Sequence, residues 1–256
     1  IYFSFLSLRL VHYPATWVIP ISLIVLLVFG GVVVLGFKRQ LLTLSGLGLG
    51  ALVLIISLIS SPLLVRVVWK LLYRIAPSYQ VTYLGHTINE LLLMILFAGI
   101  TTALTLTWYA LFQKIRPTST PDLTIGALAL HVVTNVVFAI AMPEQSFFPA
   151  WTGLFCVLAA GYWFYSTNNG SESFSAGQLV ALILSTIVAV GIMVPAYIGG
   201  FMSSEANDWS LSIVLIVLLL GMLAPQLQII TKPKKLWLPM ATWIVSTISF
   251  IVTILR

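Results

Sequence analysis

The sequence predicts an all-α polytopic membrane protein: about eight transmembrane helices plus one interfacial amphipathic helix, with no soluble domain. Three observations predict it. Of 256 residues, 60% are hydrophobic and only 7% charged, where a soluble domain carries roughly a quarter charged residues. The mean hydropathy is +1.11. The apolar residues also come in runs of about 20, the length that crosses a hydrocarbon core of about 30 Å as a helix.

The first run extends from about Trp17 to Phe37 and stops at Lys38-Arg39. The second covers about Leu41 to Ser61, and Pro62 is expected to end it. In the next stretch, Leu63 to Ile75, Arg66, Lys70 and Arg74 recur every fourth residue beside Trp69 and Tyr73. A helix with a charge on every turn fits the headgroup region better than the hydrocarbon, so this stretch is expected to lie along the membrane surface. The third span is expected over about His86 to Phe112, followed by a polar linker from Lys114 to Asp122. Spans four to eight are expected at about Leu123 to Met142, Phe148 to Tyr165, Ala176 to Phe201, Leu211 to Ile230 and Leu236 to Leu255. Pro195 is expected to kink the sixth, and an acidic loop, Ser203 to Asp208, to follow it.

Charge sets the orientation. With spans alternating, one side holds Lys38, Arg39, Lys114, Arg116, Lys232, Lys234 and Lys235. Apart from the basic stripe, the other holds Arg9 and Arg256. The richer side is expected to be cytoplasmic, which places the N-terminus and the stripe outside. The net charge of +6 serves this purpose; the basic residues are too scattered for a nucleic-acid surface, and no nucleic-acid partner is expected. The bilayer is the expected partner, and nothing in the sequence speaks to oligomeric state. Cys156, alone in an apolar run, excludes an internal disulfide and reads as a small buried hydrophobe. The chain opens on Ile1-Tyr2-Phe3 with no initiator Met. The expectation is that residues 1–256 form one membrane domain, the C-terminal part of a longer chain.

Several motifs fail their context. Ser45-Gly46-Leu47-Gly48-Leu49-Gly50 resembles a nucleotide loop but follows no strand. Gly46 and Gly50, four apart, instead predict close approach of another helix. Asn169-Gly170-Ser171 fits a glycosylation acceptor but falls on the expected cytoplasmic side. The chain has three histidines and six acids, without a His-Glu-x-x-His or a Gly-x-Ser-x-Gly element. No catalytic, metal or cofactor residues are expected in this segment, and it is not expected to be an enzyme by itself.

One polar group does fall within the spans. His86, Asn89 and Glu90 share a helix face by spacing, as do His131 and Asn135, with Thr134 alongside. Ionisable groups within a membrane are functional candidates. The plainer reading is that His86 and Asn89 sit at the outer interface while Asn135 and Glu90 hydrogen-bond between helices, and that reading is favoured over a proton relay, ion site or substrate path.

Ile1-Tyr2-Phe3-Ser4-Phe5-Leu6, then Val11-His12-Tyr13-Pro14 and Trp17, resembles the junction of certain membrane-anchored zinc aminopeptidases of metallopeptidase family twenty-eight. These include the endoplasmic-reticulum metallopeptidase and its vacuolar and bacterial relatives. Leu35-Gly36 before Lys38-Arg39, Gly85 to Asn89, and Met142-Pro143 through Ser146-Phe147-Phe148 to Trp151 are similar to further family elements. The resemblance implies a C-terminal membrane region behind an extracytoplasmic hydrolase domain that holds two zinc ions. None of the family's zinc ligands maps onto this chain. The implied function is to anchor that peptidase domain, its partner upstream, and to shape substrate access to it. The implied location is the plasma membrane in a bacterium, or the endoplasmic reticulum or vacuole in a eukaryote. The alternative is a small stand-alone transporter or channel, which an inverted internal repeat would favour; none is evident.

Overall fold

A computed structural model describes residues 2–3, 11–12, 14–76, 82–83, 86–87, 90–167, 174–203, 210–225 and 237–255. Eight α-helices are found among these residues. They are α1 (Val18–Lys38), α2 (Leu44–Ile75), α3 (Glu90–Ile115), α4 (Thr120–Ala141), α5 (Phe147–Ser166), α6 (Ala176–Ser203), α7 (Ser210–Met222) and α8 (Trp237–Leu255). The only strands among them are two short antiparallel pairs. Tyr2–Phe3 (β1) pairs with Val11–His12 (β2), and Thr82–Tyr83 (β3) with His86–Thr87 (β4). The helices α1 to α6 are long and apolar enough to cross a membrane, whereas the described parts of α7 and α8 are shorter. Among the described residues there are therefore six candidate spans. Large apolar side chains such as Leu27, Val137, Ile183 and Ile248 are exposed along the helices, which fits lipid rather than water as their solvent.

Two sequence expectations change. Pro62 does not end a helix: α2 continues through it for 32 residues, so Leu63 to Ile75 is the end of α2 and not a separate element. Proline removes one N–H, but in an apolar medium the other backbone groups gain nothing by leaving the helix. His86 is not on the third helix, which begins at Glu90; it lies in β4, opposite Tyr83. Asn89, the Asn169-Gly170-Ser171 triplet, residues 204–208 of the acidic loop, and Lys232, Lys234 and Lys235 lie outside the described residues.

The chain divides into two units. The first comprises Ile1–Leu52, Thr118–Met193 and Gly221–Leu227, and its centre is α1 packed against α4 and α5. Glycines set these approaches. A Cβ on Gly161 would stand 2.9 Å from Val32, and one on Gly36 3.0 Å from Phe164. The turn after α1 closes as a Schellman motif, with Leu41 N–H donating to Gly36 C=O and Gln40 N–H to Phe37 C=O, both at 3.0 Å. Gln40 occupies the left-handed position, φ 56°, where glycine is usual. The second unit comprises Val53–Pro117, Val194–Leu220 and Gln228–Arg256. There α3 packs along α8, while Leu72, Leu93, Leu96, Phe97, Tyr197 and Ile213 share one apolar core. Tyr197 satisfies its buried hydroxyl by donating to Met94 C=O at 2.7 Å.

Candidate functional site

Two groups of polar side chains in the first unit join helices around α4. The inner one lies among α1, α4 and α5. His131 and Asn135 are one turn apart on α4 and wholly buried, so the spacing expectation holds for this pair. His131 Nε2 stands 2.8 Å from Pro149 C=O on α5 and 3.1 Å from Thr152 Oγ1. A carbonyl can only accept, so Nε2 carries a proton. Gly153 makes room for the ring, since a Cβ there would stand 2.9 Å from His131 Cδ2. Asn135 Oδ1 accepts from Ser22 Oγ of α1 at 3.3 Å. Thr134 turns back on its own helix, donating to Leu130 C=O at 2.9 Å. Among the described residues, His131 Nδ1 and Asn135 Nδ2 have no partner.

The second group joins α2 to α4. Ser119 caps α4, accepting Asp122 N–H at 3.2 Å, with Pro121 in the first turn. Thr43, just before α2, receives Gly46 N–H on its hydroxyl at 3.1 Å, the bond of an N-cap. Asp122 lies between them, 3% exposed. Its Oδ1 accepts Thr43 N–H at 2.8 Å; its Oδ2 accepts the hydroxyls of Ser119 at 2.8 Å and Thr43 at 3.0 Å. In a capping box the third helical residue reaches back to the cap of its own helix. Here it reaches the cap of another, so the buried charge sits at two helix starts, where the positive dipole ends offset it. Gly46 leaves space for this carboxylate, which a Cβ would strike, and Gly50 faces Leu123 Cα at 2.9 Å from its Cβ position. The expected close approach at Gly46 and Gly50 is thus to α4, where Gly126 completes the contact.

Comparisons with protein-family models, with curated proteins and with solved structures return no match.

Of the expected polar group, His131 and Asn135 belong together in the first unit. Glu90 is the first residue of α3, half-buried, in the other unit. An acid in the first turn of a helix meets the positive dipole end. Arg66, Lys70 and Arg74 are exposed on the last turns of α2. Asp122 was assigned by sequence to a linker and missed as a buried residue. Ser119-x-x-Asp122 with Pro121 between is a helix-start signature and could have found it. Gln178 was missed as well. It forms a capping box with Ser175, and its Nε2 reaches Ser166 Oγ at 3.0 Å and Thr167 Oγ1 at 3.3 Å at the end of α5. No three His, Cys, Asp or Glu side chains gather as a metal-holding group among the described residues.

Proposed function

We propose that this bundle is the membrane-embedded C-terminal domain of an extracytoplasmic zinc-dependent aminopeptidase, which it anchors and whose substrate access it shapes. The N-terminus and the basic stripe face outward in this reading, and the zinc ions belong to the upstream domain.

The observation that carries the reading is how the interior polar groups are used. His131 bonds α4 to α5, Asn135 bonds α4 to α1, and Asp122 bonds α4 to the start of α2. Each links neighbouring helices, which suits a bundle that holds its shape under an attached domain. The elements that carry the family resemblance also fall at structural joints. Tyr2-Phe3 pairs with Val11-His12 ahead of α1. In the Met142 to Trp151 segment, buried Ser146 donates to Pro143 C=O at 2.7 Å and turns the chain into α5.

Membranes holding the product of the full-length open reading frame should release N-terminal residues from fluorogenic aminoacyl amides. The activity should be abolished by a chelator and restored by zinc. Cleavage ahead of residue 1 should free it into the soluble fraction. An open reading frame with no His/Asp/Glu-rich soluble domain ahead of Ile1 would overturn the proposal. That result would leave the second reading, a small transporter, whose specific support is the pair of unpartnered atoms, His131 Nδ1 and Asn135 Nδ2.

A further inference from the structure

At 1.5 Å per residue, the 32 residues of α2 extend about 48 Å, roughly 18 Å more than a hydrocarbon core of about 30 Å. That excess is about 12 residues, the distance from Leu63 or Leu64 to Ile75. Three rows run along this end of the helix. Val65, Trp69, Leu72 and Ala76 are buried in the core of the second unit. Leu63, Val67 and Leu71, each four apart, are exposed. Arg66, Lys70 and Arg74, also four apart, are exposed beside them. By helical rotation the basic row lies next to the exposed apolar row, not opposite it. One outward strip therefore offers apolar contact and positive charge together.

We infer that this strip is a binding site for an anionic glycerophospholipid, whose phosphate lies on Arg66, Lys70 and Arg74 and whose acyl chain lies along Leu63, Val67 and Leu71. Charge complementarity supports this occupant. No acidic side chain pairs with Lys70 or Arg74 among the described residues. Arg66 Nη2 donates to Ser210 Oγ at 3.2 Å, which holds the first residue of the basic row in place. Tyr73 is exposed with its ring 6.0 Å from that of buried Trp69. An amphipathic aromatic of this kind suits the boundary between chains and headgroups. The site is independent of whether a peptidase domain precedes the bundle.

The test uses the 256-residue chain in phosphatidylcholine nanodiscs doped with phosphatidylglycerol, with retained lipid counted by native mass spectrometry. The chain should retain phosphatidylglycerol in preference to phosphatidylcholine, and added salt should weaken the preference. Each basic residue near an anionic surface contributes roughly a fivefold factor, so the R66Q/K70Q/R74Q variant should bind about a hundredfold more weakly. Lys70→Gln alone removes no bond among the described residues, so folding should be unaffected while affinity falls about fivefold. Equal retention of both lipids by the native chain would overturn the inference, as would undiminished preference in K70Q and the triple variant.

Discussion

The carboxylate of Asp122 on α4 accepts the backbone N–H of Thr43 at 2.8 Å and so caps a helix other than its own. The bond spans 79 residues of sequence. It fixes the start of α2 to the start of α4, and the glycines around it exist on the same account.

Removing that carboxylate should be costly. Asp122→Ala would leave the Thr43 N–H and two hydroxyls without their acceptor, for a loss of roughly 2–4 kcal/mol in unfolding free energy. Asp122→Asn keeps an accepting oxygen and should lose about half as much. Denaturation in detergent micelles measures both, and an alanine variant as stable as the native chain would refute the capping role.

The opposite sign is expected at Gln40. Its left-handed backbone is easy for glycine and strained for glutamine, so Gln40→Gly should raise stability by about 1 kcal/mol. A lower midpoint of thermal unfolding in the same micelles would contradict this.

Two glycines should respond differently to one methyl group. At Gly126 a Cβ would stand 2.5 Å from Ala51 N, so Gly126→Ala should cost about 1–3 kcal/mol by forcing α2 and α4 apart. At Gly30 nothing lies within 4 Å, and Gly30→Ala should gain up to about 1 kcal/mol from helix propensity. Similar effects from the two substitutions would show that the α2–α4 approach is not tight.

Within the inner polar group, Asn135→Leu loses the bond from Ser22 but also removes an amide Nδ2 that has no acceptor among the described residues. Hydrogen bonds between membrane helices average about 0.6 kcal/mol, so the net change should stay below about 1 kcal/mol. Gly153→Ala, which presses on the His131 ring, should cost more than Asn135→Leu. The reverse order in unfolding experiments would mean that Asn135 has a partner that the three packed helices do not supply.

The helical class was legible because apolar run length reports spans directly. Expected limits of Leu123 to Met142 and Phe148 to Tyr165 compare with Thr120–Ala141 and Phe147–Ser166. Local rules failed where environment outweighs them. Pro62 is a helix terminator in water, yet α2 runs through it. His86, Asn89 and Glu90 fit a helix face only if a helix is present, and the pairing of Tyr83 with His86 ends that pattern before Glu90. The spacing of His131 and Asn135 was read correctly, but which helix each would touch was not legible. Thr43 and Gln178 fall at the starts of expected spans and Asp122 in an expected linker, so their roles emerge only once the helix ends meet.

Gln178 ties the end of α5 to the start of α6 through side-chain and backbone bonds on both flanks. The join therefore does not depend on the peptide that connects them. A fluorescent or protease-cleavable reporter placed between Asn169 and Gly170 should leave both helix ends clamped. Its accessibility from one face of a sealed vesicle then reports the sidedness of the whole chain, and the clamp makes this junction a natural point for mapping orientation without disturbing the bundle.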